Sequence, residues 1–176
     1  RAPRGGCWSR MVRAASAGKG PTVVEPVATV TEFVWARRYD GYEVAAEWAH
    51  QTPWHNHAFR ITTGGRLFAG LTENGVLYVY PGYYFDGASG PTREPEPTLC
   101  AWLAHDVLYQ AMRRRCFPPH LRTEVDRWCV WKLAYRRWPG PRWLAWLRCT
   151  YYAAGLRWFG ASSADPAKAD EDVHRG

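Results

Sequence analysis

Tyr83-Tyr84-Phe85-Asp86-Gly87-Ala88-Ser89-Gly90-Pro91, followed fourteen residues after Pro91 by His105-Asp106-Val107-Leu108-Tyr109, marks the place where this chain changes period. Upstream, short β-branched or aromatic segments at 29–35, 54–62, 66–71 and 76–80 are separated by turn signals such as Thr63-Gly64-Gly65 and Asn74-Gly75. That is the pattern of a small antiparallel sheet. Downstream, 98–115, 121–138 and 141–159 read as three helices, broken by Pro118-Pro119 and Pro139-Gly140-Pro141. Strands followed by helices predict an α+β domain with segregated layers.

Both quoted segments break the local rules. On a helical wheel, Leu99, Trp102, Leu103, Val107 and Tyr109 share a stripe, with Asp106 near its centre and His105 at its edge. The wheel therefore points Asp106 at the core and leaves His105 within reach of a cleft. A carboxylate on an apolar face must be hydrogen-bonded, paired or bound to a metal. In the turn, Gly82, Gly87 and Gly90 allow positive φ or close approach of a ligand, and Asp86 and Ser89 supply oxygens, so the loop can take a cation or an anion. Local Asx and Ser turns account for the same residues without any ligand. Two such breaks in one connection predict that Asp86, Ser89, His105 and Asp106 converge.

The pattern D-G-A-S-x-P, then H-D-x-L-Y on a helix, then V-D followed by an aromatic, resembles a phage-associated domain family of unknown function found in tailed-phage genomes and prophages. The matching residues are Asp86, Gly87, Ala88, Ser89 and Pro91; His105, Asp106, Leu108 and Tyr109; and Val125, Asp126 and Trp128. The resemblance runs over roughly 75–160, through Tyr151-Tyr152-Ala153-Ala154 and Phe159-Gly160. It implies a phage or prophage accessory or virion-associated protein, with phage structural proteins as partners, and carries no reaction. A looser likeness is to secreted and parvoviral phospholipases A2, which place a Gly-rich calcium loop ahead of an H-D-x-x-Y helix. It implies a divalent-cation-assisted hydrolase of lipid or another ester. His105 would be the general base, Asp106 with Asp86 the ligands of Ca2+ or another divalent cation, Tyr109 a supporting donor and Asp126 the residue orienting His105. Leu108 stands where that family commonly has Cys, there is no dense cysteine framework, and the loop lacks G-x-G.

The 176 residues, 47% apolar, suffice for one domain with a real core. Residues 1–21 hold five cations and no acid and read as a flexible basic arm; Met11 is a candidate start, so no function is rested on 1–10. The domain is expected over 22–160, with a mobile tail over 161–176. Five widely spaced cysteines without a C-x-x-C pair suggest neither a zinc knuckle nor a disulfide scaffold, and buried thiols are expected. No apolar run or signal-like segment indicates a membrane span or secretion, which leaves the cytoplasm of an infected host or a virion as the expected location.

The net charge of +7 concentrates in the helical half: 97–160 carries 11 cations against 3 acids, or +8. Arg113-Arg114-Arg115 and Arg136-Arg137 complement helix ends. The rest, interleaved with Trp138, Trp143 and Trp146, suits an anionic membrane surface or, without any motif to support it, nucleic acid; a solvated basic face over core tryptophans is the plainer expectation. His55-Asn56-His57 alternates on an expected strand and lacks a third metal ligand, which reads as a surface pair. No Walker loop, G-x-S-x-G elbow or dinucleotide fingerprint occurs, so ATP, serine-hydrolase and NAD chemistry have no support.

Overall fold

The computed structural model describes residues 33–37, 41–87 and 96–171. Its first half is two antiparallel sheets. Strands β1 (Trp35–Arg37), β2 (Tyr42–Val44) and β7 (Tyr84–Phe85) form one, in the order β1-β2-β7. Strands β3 (Trp48–Gln51), β4 (Phe59–Thr63), β5 (Arg66–Leu71) and β6 (Val76–Val79) form the other, in the order β3-β6-β5-β4. The β4–β5 hairpin turns on Gly64 and Gly65 at φ of 58° and 82°, a left-handed pair that only glycine adopts cheaply. A register shift between Ile61 and Thr62 kinks it close to the turn.

The second half is helical. Helix α1 (Leu99–Arg113) buries every residue from Leu99 to Met112 except Asp106. It ends in a Schellman motif: Cys116 N–H donates to Ala111 O at 2.8 Å, Arg115 N–H donates to Met112 O at 2.9 Å, and Arg115 takes a φ of 58°. The next helix runs as α2 (Arg122–Arg127), a π-helical segment (Trp128–Ala134) and α3 (Tyr135–Arg137) without a break. Helix α4 (Arg142–Ser163) follows the Pro-Gly-Pro stop.

Aromatic side chains join the layers. Trp54 meets Phe117 and Trp128 edge-on, at ring separations of 5.7 and 5.2 Å, and Phe59 meets Phe117 at 5.9 Å. The Tyr83 hydroxyl donates to Gln110 Oε1 at 3.0 Å, so the residue entering β7 is tied to the middle of α1. β7 therefore delivers Asp86 to the side of α1.

The α+β expectation holds, with corrections in detail. Strands β2 and β3 were not anticipated, because Tyr42–Val44 and Trp48–Gln51 are too short to show a period. The expected strand at 54–62 begins only at Phe59. Residues 54–58 form a loop in which Asn56 has a φ of 64°, so the histidines of His55-Asn56-His57 do not alternate on a strand. His57 instead packs against Phe117, at a ring separation of 5.6 Å. Of the strand expected at 29–35, residues 29–32 lie outside the described residues, as do the basic arm of 1–21 and 172–176.

The expected tail at 161–176 also changes. Helix α4 continues to Ser163, Ala164 is buried, and a 3-10 helix spans Pro166–Glu171. Arg113 donates to Ser163 O at 2.7 Å and anchors this segment to the end of α1. Small and charged residues there cover a helix end, which composition alone does not distinguish from disorder. Cys100, Cys129 and Cys149 are free, buried thiols, and burial raises the pKa of each.

Candidate functional site

Six polar side chains form a continuous series where α1, α2, α4 and β7 meet. Asp126 lies at its inner end. Its Oδ1 accepts from the Tyr109 hydroxyl at 2.7 Å and faces His105 Nε2 at 3.3 Å, while Oδ2 accepts from Arg122 at 3.2 Å. The last contact is an i,i+4 pair on one helix face. The same Arg122 nitrogen donates to Leu156 O at 3.2 Å, tying α2 to α4.

His105 occupies the centre. Its Nδ1 faces Asp106 Oδ1 at 3.5 Å, its ring lies 3.9 Å from that of Tyr109, and only 7% of the residue is exposed. Burial alone would lower its pKa, but hydrogen bonds to Asp106 and Asp126, together with their charges, outweigh that and hold the imidazolium up to about 9. Tyr109 is pushed the other way from ionisation, by burial first and then by the charge of Asp126.

Asp106 forms the outer end with Asp86. Burial pushes its carboxyl up to about 7, and the charge of Asp86 and a hydrogen bond shared with Asp86 add to the rise, against the opposing pull of His105. The Asp106 side chain is 21% exposed, yet Oδ2 itself is sealed and has no hydrogen-bond donor among the described residues. A carboxyl raised by a neighbouring carboxylate is favoured by a proton on one of the two or by a cation between them. Asp86 is exposed, and Gly87 beside it is buried at a φ of 82°, a backbone that favours glycine.

The burial of the His-Asp pair is the reverse of the wheel's reading. His105 is the enclosed residue and Asp106 the one facing the edge. Helix α1 is covered on almost every side, so its apolar period had no orientation to report. The structure brings together Asp86, His105, Asp106, Tyr109 and Asp126; Ser89 lies outside the described residues. Among the described residues no group of three or more His, Cys, Asp or Glu could hold a metal ion, so Asp86 and Asp106 gain no third ligand of those types.

Sequence reasoning missed two members of the site. Arg122 was legible as the partner four residues before Asp126. Gly160 was not: a Cβ there would lie 2.6 Å from the Tyr109 hydroxyl and 3.0 Å from the Arg122 guanidinium, so its small size lets α4 close over the Asp126 contacts. Chemically, the series is an imidazole that favours its protonated form between two carboxyl groups, graded from an enclosed Asp126 to an exposed Asp86. No family model, curated protein or solved structure matches the chain.

Proposed function

We propose that this chain is a non-enzymatic accessory or virion-associated protein of a phage or prophage, in which the Asp86–Asp106–His105–Asp126 series locks the sheet to the helices. The carrying observation is His105: 7% exposed, with a carboxylate at each ring nitrogen. A general base must be neutral and must reach a substrate or a water. An imidazolium enclosed between Asp106 and Asp126 does neither at neutral pH, whereas it suits an ionic tie that holds α1 to α2. Under this reading the parent protein hydrolyses neither mixed phospholipids nor simple esters with calcium, magnesium or zinc, and His105→Asn lowers the melting temperature. Turnover that His105→Asn removes while leaving the melt unchanged would overturn it. The phage context has its own test, the presence of the chain in purified particles by mass spectrometry.

One observation favours a second reading, divalent-cation-assisted hydrolysis of a lipid or other ester. The sealed Asp106 Oδ2 beside the exposed Asp86 is an acceptor pair suited to a cation. A cation held there would act as a Lewis acid. In that case Asp126, fixed by Tyr109 and Arg122, orients His105 for proton uptake. Calorimetric titration of the parent and of Asp86→Ala with calcium separates the readings, since only the second expects binding that the variant loses.

A further inference from the structure

We propose that the outer face of α4 seats this chain on the surface of an anionic membrane, a role independent of the polar series above. Helix α4 is committed inward through Ala145, Cys149, Tyr152 and Gly160, which are buried. At about 100° per residue the opposite side carries Trp143, Leu147, Tyr151 and Trp158, with Trp146 on one flank and Phe159 on the other, nearer the buried side. All six are exposed, with Trp143 at 66%, Trp158 at 77% and Phe159 at 71%. Single exposed hydrophobic residues need no explanation, but a row of them along one helix marks a contact surface. The periodicity of this face is plain in the sequence; the structure turns it outward, and Trp143 and Trp146 are not core residues.

Three features choose the occupant. Trp and Tyr, which supply four of the six side chains, favour the headgroup level of a bilayer because their rings are apolar and their N–H or O–H tips are polar. The helix also carries Arg142, Arg148 and Arg157 and no Asp or Glu, within a region whose charge is +8, from 11 cations less 3 acids over 97–160. A second copy docked face to face would set cations against cations with no carboxylate to pair them, whereas anionic lipid supplies the missing charge. Finally, at 22 residues the helix has enough length to span a bilayer, yet no helix among the described residues is long and apolar enough to cross one. Such a helix lies along the interface, with its rings in the headgroup layer. A convex stripe also offers no groove to track a nucleic-acid backbone.

The test is co-sedimentation of the full chain with vesicles of phosphatidylcholine alone and of phosphatidylserine with phosphatidylcholine at about 3:7. Binding is expected only with phosphatidylserine, and it weakens as NaCl rises. Trp143→Ser with Trp158→Ser lowers the partition coefficient at least about tenfold, while Arg157→Gln lowers it less. Thermal melts confirm that each variant folds, and Phe159→Ser alone serves as a milder variant if the double one does not. Equal pelleting with both vesicles, pelleting with neither, or variants that bind like the parent would overturn the proposal. It also falls if sedimentation velocity shows a dimer that the double variant abolishes, or if the face retains single-stranded DNA and not vesicles.

Discussion

Raising the pH from about 6 to about 9.5 should weaken the fold through His105, with a sign that the contacts fix. The native imidazole holds its proton up to about 9, against 6.5 for the free side chain. Its contribution is therefore fully present below pH 6.5 and is lost as the pH climbs through 9. That difference corresponds to on the order of 3 kcal/mol, a large share of a marginal domain's stability. Asp106 acts in the same direction at lower pH. A native carboxyl pushed up to about 7 keeps a proton that the unfolded chain releases near 3.8, so stability also falls across that interval. Urea unfolding at a series of pH values, run on the parent, His105→Gln and Asp106→Asn, separates the two. The parent midpoint should drop between pH 6.5 and 9, and the His105→Gln midpoint should stay nearly level there. Equal drops in parent and His105→Gln would refute the assignment of that slope to His105.

Asp126→Asn leaves Tyr109, His105 and Arg122 aimed at an amide and should cost about 3 to 5 kcal/mol in urea unfolding, because breaking a buried charge pair strands its partners. A loss within experimental error would mean that Asp126 is not their common acceptor. Gly160→Ala places a methyl group against the Tyr109 hydroxyl and should cost about 1 to 3 kcal/mol despite the better helix propensity of alanine. A variant as stable as the parent would show that α4 stands further off. Tyr83→Phe removes the donor to Gln110 and should cost about 1 kcal/mol, measured in the same way. If the cation reading is right, millimolar calcium raises the parent's melting temperature and leaves Asp86→Ala unmoved; no rise in the parent would count against Asp86 and Asp106 as ligands.

What was legible in the sequence divides along physical lines. The three helical stretches were found to within a few residues because proline and glycine punctuate them and because fifteen or more residues give a period time to show. The hairpin on Gly64 and Gly65 was equally plain, since few residues other than glycine accept its backbone. Strands of three or four residues, such as β2 and β3, carry too few alternations to be read. At the site, Asp86, His105, Asp106, Tyr109 and Asp126 were all named in advance, because a charged or polar residue in an apolar setting stands out. Their arrangement was not, since which of His105 and Asp106 is enclosed depends on what covers α1. The outward turn of Trp143 and Trp158 was hidden for a related reason: a wheel gives the width of an apolar face and not the side on which the protein lies.

The π-helical segment at Trp128–Ala134 bears on how this chain tolerates changes in length. A π turn is an α-helical turn holding one residue more than its usual number. Deleting one residue there should let the segment relax into an ordinary helix, with Asp126 before it and Tyr135 after it keeping their facings, whereas the same deletion within α1 would rotate His105 away from Asp126. Single-residue gaps in natural variants of this chain are accordingly expected between Trp128 and Ala134, and not between Leu99 and Arg113.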